Sequence, residues 1–117
     1  MRLQPVERNV LLDQRTYTCR PGTLPLHLKL YKEFGNAVQT RHLGLPLVIM
    51  SAETGDLNTY VHIWMYKDAA DRATRRAAMA ADPEWQVYLK KSGEAGYIIG
   101  QKNSLMLAAE FETRKLG

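Results

Sequence analysis

The sequence predicts an α+β fold of ferredoxin-like type, an antiparallel four-stranded sheet in βαββαβ order with two helices on one face. Three observations predict it. Four runs rich in β-branched, aliphatic and aromatic residues, Val10–Arg20, Leu45–Ala52, Leu57–Tyr66 and one from Gly96 onward, are separated by turn-forming residues. Stretches of helical period lie between the first and second runs and between the third and fourth. The third run, LNTYVHIWMY, is poorly suited to water on either face, which marks it as an interior strand.

The first strand, VLLDQRTYTCR, ends at Pro21-Gly22. Thr23 is placed to cap the helix that follows, and Pro25 suits a first turn whose N–H groups have no internal acceptor. Leu24, Leu28, Tyr31, Phe34 and Val38 form its apolar stripe. Arg41 and His42 sit where the helix dipole favours positive charge, before a stop at Gly44. Leu45–Ala52 and Leu57–Tyr66 read as a hairpin reversed at Gly55-Asp56. Asp68, with Asp71 three residues on, has the spacing of a capping box. Ala69, Ala70, Ala73, Ala77, Ala80 and Ala81 give the second helix a narrow stripe to lay on the sheet. Asp82-Pro83 restarts that helix, Trp85, Tyr88 and Leu89 share a face, and Lys90, Lys91 and Gly93 end it. In the last strand Ile99, Gln101, Asn103, Leu105 and Leu107 fall on one side. All of this reads as one domain over residues 1–117, with a core of about 10–109.

Right-handed crossovers put both helices on the same face, so the other face needs cover from elsewhere. In the third strand Thr59, Val61, Ile63 and Met65 oppose Tyr60, His62, Trp64 and Tyr66. An identical copy on a two-fold axis is the simplest cover, which predicts a homodimer closing into a dimeric α/β barrel.

The net charge of +4 is mild and spread along the chain. Arg72, Arg75 and Arg76 read as a solvated helix face, with Asp68 and Asp71 as ion partners four residues before Arg72 and Arg75. Aromatic residues are not interleaved with these charges, so no nucleic-acid partner is expected. No apolar run reaches the length of a membrane span, no export signal opens the chain, and a single cysteine forms no internal disulfide; a cytoplasmic location is expected. Three histidines without HxH or HExxH spacing predict no metal site, and no glycine-rich phosphate loop implies a nucleotide, so no cofactor is expected.

The segments DQRTYTCRPG, RHLGLPL, GDLNTYVHIWMYKDAADRATRRAAMAADPEW and GQKNSLML carry a resemblance to the NIPSNAP family, from about Leu12 to about Leu107. VHIW followed by an acid-started helix and ADPEW is the most specific part. The resemblance implies a ferredoxin-like homodimer of the dimeric α/β-barrel superfamily and supplies no agreed reaction or catalytic set. It fits a stand-alone, prokaryote-like member. Cofactor-independent oxygenases and haem-handling proteins share the wider superfamily by fold.

The candidate site is the space between the helices and the strand face bearing Tyr60, His62 and Trp64, joined by Arg15 and Tyr17 of the first strand. His62 is placed to exchange a proton, Tyr17 or Tyr60 to donate to an oxyanion, and Arg15 to hold a carboxylate. Trp64 and Trp85 are placed as apolar walls. A histidine among strand aromatics equally suits a hydrogen-bonded core position. His42 reads as a dipole partner or a ligand-binding residue, His27 as a surface residue, and Cys19 as a small buried apolar residue on the side of Arg15 and Tyr17. Two functions are thus open. A monooxygenase- or isomerase-like enzyme, or a binder of a small apolar or acidic ligand, requires a pocket of at least about 300 Å³ lined by His62 and Arg15. An assembly module requires solid aromatic core in the same place.

Overall fold

The computed structural model describes residues 10–114; the polar segments at 1–9 and 115–117 lie outside the described residues. Four strands, β1 (Leu11–Cys19), β2 (Val48–Ser51), β3 (Thr59–Tyr66) and β4 (Ile98–Leu107), form one sheet in the order β2-β3-β1-β4, every neighbouring pair antiparallel. Four helices stand where two were expected: α1 (Leu24–Phe34), α2 (Asn36–Leu43), α3 (Ala69–Ala80) and α4 (Pro83–Ala95).

The break at Asp82-Pro83 is the restart that the sequence predicts. Asp82 accepts a hydrogen bond from the Glu84 amide at 2.9 Å, and Pro83 occupies the first turn, where its missing N–H leaves no acceptor unpaired. The break at Gly35 was not expected. A Cβ there would come within 2.8 Å of the Tyr88 ring and 2.9 Å of the Tyr31 ring. Only a glycine lets the first helical arm pass this close to α4, and the arm bends at that point.

The caps follow the acidic residues more closely than the threonine. Asp68 accepts from the Asp71 amide at 2.8 Å while Asp71 accepts from the Lys67 amide at 2.9 Å, a reciprocal pair that satisfies two end donors. Thr23 makes no cap bond. Its hydroxyl donates back to the Arg20 carbonyl at 2.7 Å and closes the preceding turn instead. Gly93 does not end α4, which runs on to Ala95 and stops at Gly96 in left-handed geometry with φ of 65°. β2 is shorter than its apolar run because pairing begins only beyond Pro46, which lacks an amide for the ladder.

The sheet buries one face under the helices. Asp13, Arg15 and Cys19 of β1 and Tyr60, His62, Trp64 and Tyr66 of β3 lie beneath them, and Arg15 is paired across the strands with His62 and Tyr17 with Tyr60. Trp64, Tyr66, Tyr31, Val38, Leu43, Met79, Trp85 and Tyr88 form the main core. On the opposite face Val61 and Ile63 are half-buried, while Met50, Met65 and Met106 are each about half exposed. A register shift at Thr18/Cys19 places Ile98 opposite Cys19 and leaves Ile99 exposed, so Ile98 joins Gln101, Asn103, Leu105 and Leu107 on the helix side in place of Ile99.

The orientation of α3 reverses the expectation. Its alanines, including Ala69, Ala73, Ala77 and Ala80, are exposed, and the inward row is Arg72, Arg76 and Met79. Asp71 pairs with Arg75 at 2.9 Å as the spacing suggests, but Arg72 turns away from Asp68 and reaches Asp13 of β1 at 3.0 Å. A buried carboxylate on the sheet draws the cation inward, and the small residues are left for the outside. Among the described residues no helix is long and apolar enough to cross a membrane.

Candidate functional site

A cavity of about 470 Å³ opens between the helices and the sheet, with Arg15, Tyr17, Tyr60 and His62 on its sheet side and Trp85 and Tyr88 on α4. Its size exceeds the roughly 300 Å³ needed for a small ligand. Solid aromatic core, the alternative expectation, does not describe this space.

Arg15 is the central cation. It is 8% exposed, its Nε donates to the Tyr17 hydroxyl at 3.0 Å, and its Nη1 reaches Oδ2 of Asp13 at 3.4 Å. Burial works against the charged guanidinium, but Tyr17 and Asp13 beside it hold its pKa above the ordinary value. Asp13 is fully buried and shares its Oδ2 between Arg15 and Arg72. This carboxylate is not among the lining residues, and it anchors Arg15 from outside the wall.

His62 stands next to Arg15 at 2% exposure. Its Nδ1 receives the Trp64 indole N–H at 3.3 Å, and its buried Nε2 has no hydrogen-bond partner among the described residues. Burial first, then the charge of Arg15 and the proximity of His27, lower its pKa to about 4. That direction favours the neutral imidazole near pH 7.

His27 was expected on the surface and is instead fully buried, with Nε2 2.5 Å from the Tyr60 hydroxyl and their rings 5.1 Å apart. The face that α1 turns inward is Leu24, His27 and Tyr31: Leu24 and Tyr31 belong to the expected apolar stripe, and His27 is the addition that an apolar count leaves out. Tyr60 also stacks on Tyr17 at 5.0 Å. Burial raises the Tyr60 phenol well above its ordinary pKa, and it lowers the His27 pKa. Cys19 is fully buried and its thiol pKa is raised by that burial, which suits packing rather than nucleophilic chemistry.

Of the other expected residues, Trp85 lines the cavity, whereas Trp64 and His42 do not. Trp64 lies under His62 in the core, and the aromatic wall is made instead by Trp85 with Tyr88, their rings 5.0 Å apart. His42, in the last turn of α2, binds Asp82 at 2.8 Å, where Arg41 also donates at 2.8 Å. Donors from His42, Arg41 and the Glu84 amide hold the Asp82 carboxyl well below the usual range, and together they tie α2 to the start of α4.

Among the lining residues that the sequence did not place at the site are Tyr31, Gln39, Arg76 and Tyr88. The Tyr31 hydroxyl accepts from the Asn36 amide at 3.3 Å and donates to Oε1 of Gln39 at 2.5 Å, which leaves the Gln39 Nε2 as a donor without a partner among the described residues. Burial pushes the Tyr31 phenol up to about 12, partly offset by Asn36. The available signal was a period of four: His27, Tyr31, Gly35 and Gln39 recur along one helix face and are all buried. Arg76, four residues beyond Arg72, sits beside the buried Tyr66 hydroxyl, and its buried Nη1 has no other partner among the described residues.

The wall thus carries two guanidiniums, Arg15 and Arg76, and no Asp or Glu. Among the described residues no group of three or more His, Cys, Asp or Glu side chains gathers as a metal would require. An arrangement of cations, neutral N–H donors and aromatic rings can hold an anion with a flat apolar body.

The sequence profile of the NIPSNAP family matches residues 12–112. Protein NipSnap homolog 3A of Pongo abelii is 31% identical over 77 residues, 66% of this chain and 31% of that protein. The chain spans about a third of the length of the curated relatives it matches. The crystal structure of a NIPSNAP family protein with unknown function from Agrobacterium tumefaciens is 34% identical and superposes with a TM-score of 0.83 over 90% of this chain and 93% of that one. A dimeric ferredoxin-like protein from an uncultured marine organism, 14% identical with a TM-score of 0.67 over 93% of this chain and 96% of that one, shares the fold alone. The fold and the profile agree: this chain belongs to the NIPSNAP family.

Proposed function

We propose that this chain is a homodimeric small-molecule-binding protein whose cavity takes an organic anion with an aromatic body. The observation that carries the reading is the charge of the wall, two guanidiniums with no carboxylate among them. The one carboxylate paired with Arg15, Asp13, is shared with Arg72, and Arg76 has no ion pair among the described residues, so an anionic ligand would add charge that this wall lacks. Arg15 is the principal anion contact, Tyr17, Tyr60 and His62 form the polar floor, and Trp85 is the apolar wall. His42 acts outside the cavity, holding α2 and α4 together through Asp82.

The partner-facing side of the sheet supports the homodimer. Val48, Met50, Val61, Ile63, Met65, Leu12 and Met106 share that face by register, and among the described residues no helix covers it. A solved protein of the same fold is described as dimeric. The haem-handling alternative gains nothing from His62, whose Nδ1 is occupied by the Trp64 N–H.

Isothermal titration with 2-naphthylacetate and its uncharged amide, 2-naphthylacetamide, tests the reading. The acid is expected to bind at least about tenfold more tightly than the amide, and Arg15→Met to erase the difference, as loss of a charge-assisted contact requires. Equal affinity for acid and amide, or binding of neither, overturns it.

A further inference from the structure

We propose that Gln39 is a ligand-contact residue of this cavity, its Nε2–H donating to an oxygen of the bound acid from the helix side while Arg15 holds the acid from the sheet. The inference rests on the anion-binding reading above and adds a second, uncharged point of recognition, one that takes a hydrogen-bond acceptor and refuses a donor.

Tyr31 fixes which way the Gln39 carboxamide faces. The Tyr31 hydroxyl receives the Asn36 side-chain N–H at 3.3 Å, and among the described residues its own proton has one acceptor, the Gln39 side chain at 2.5 Å. Gln39 therefore turns its oxygen to Tyr31, since a carboxamide nitrogen accepts nothing and would strand the buried phenol proton. The Nε2 branch is left with no hydrogen bond among the described residues.

That nitrogen is not sealed in. Nε2 of His62 and Nη1 of Arg76 are fully enclosed, whereas Nε2 of Gln39 keeps accessible surface. The residue as a whole is only 3% exposed and lines the cavity, so the open side of its N–H is the cavity side. Arg15 repeats the pattern. Its Nε is used by Tyr17 and its Nη1 by Asp13, while Nη2 makes no hydrogen bond among the described residues and keeps accessible surface in a buried, lining side chain.

The two free donors come from opposite layers, Arg15 from β1 and Gln39 from α2. The layers meet close by, because the Tyr31 ring that carries Gln39 lies 5.2 Å from the ring of His62, the cross-strand partner of Arg15. An aromatic body that fills the space displaces water from both donors, and only an acceptor on that body restores their hydrogen bonds. The oxygens of an organic acid do so. An amine at the Gln39 position meets a second donor, since the oxygen of that carboxamide is already committed to Tyr31.

The test follows the Gln39 side-chain N–H pair in nitrogen-15 correlation spectra while 2-naphthylacetate is added to the wild-type protein. One of the two protons is expected to move downfield and to exchange with water more slowly. Gln39→Met keeps the length of the side chain and removes the donor; it is expected to bind the acid about tenfold more weakly, the scale of one buried hydrogen bond. A role confined to supporting Tyr31 predicts instead a less stable variant of unchanged affinity and an unmoved N–H pair. Bound acid with an unmoved Gln39 N–H pair, or with equal affinity in Gln39→Met, overturns the Gln39 assignment while leaving the anion reading in place. Should Gln39→Met fail to fold, the wild-type spectra decide alone. Failure of 2-naphthylacetate to bind overturns the anion reading itself and this inference with it.

Discussion

Trp64 donates its indole N–H to Nδ1 of His62, two residues earlier on the same strand face, at 3.3 Å. The bond makes a core tryptophan the partner that orients a histidine of the cavity floor. The two residues face the same way because alternate positions of a strand share a side, so the spacing WxH or HxW is the minimal sequence condition for this contact.

Acid should weaken the fold through His62. Its folded pKa, about 4, lies below the ordinary 6.5, so between those pH values the unfolded chain takes up a proton that the folded chain refuses. Stability is therefore lost as pH falls from about 6.5 toward 4, by on the order of 3 kcal/mol for the full shift. His27, lowered by burial, adds in the same direction. Urea unfolding at pH 7 and pH 4.5 should show the loss, and His62→Gln should flatten it. An unchanged midpoint in the wild type counts against a neutral buried imidazole.

Asp13 should be among the most sensitive polar positions. Asp13→Asn leaves the buried Arg15 without its carboxylate and releases Arg72. Breaking one side of such a buried pair costs about 3 to 5 kcal/mol, readable as a shift of the denaturant midpoint. A change under about 1 kcal/mol would mean that water or another group already compensates Arg15.

Asp68→Ala should lower stability by about 1 kcal/mol, because it removes the acceptor of the Asp71 amide at the start of α3. Thr23→Ala should change little by the same measurement, since the Thr23 side chain makes no helix-cap bond.

Sedimentation equilibrium at micromolar concentration should report twice the mass of one chain. Replacing Met65 and Met50 together by glutamate puts charge on the uncovered sheet face and should yield a single chain with its far-ultraviolet spectrum intact. A wild-type protein that sediments as one chain would remove the homodimer from the proposed function.

The strands and their faces were legible because period-two alternation in Tyr60, His62, Trp64 and Tyr66 has one meaning once a sheet is assumed. That same pattern brought Arg15, Tyr17, Tyr60 and His62 to one cavity floor. The helices were harder to read. On α3 an apolar count chose the alanines, while the inward side is decided by Asp13, a residue of β1 far away in sequence. On α1 and α2 the expected Leu24, Tyr31 and Val38 are buried, but so are His27, Gly35 and Gln39, which no hydrophobicity scale selects. Polar residues held inward by partners on other elements follow from tertiary contacts, and a single sequence does not display those.

Gly35 contributes no atom to the cavity wall, yet Tyr31 and Tyr88, which do, both rest against its bare α-carbon. The bore of the chamber is therefore gauged by a methyl group that is missing from the backbone behind it. Alanine at this position would drive the two phenol rings apart or inward and so resize the chamber from behind its wall, which makes residue 35 a remote dial on its volume.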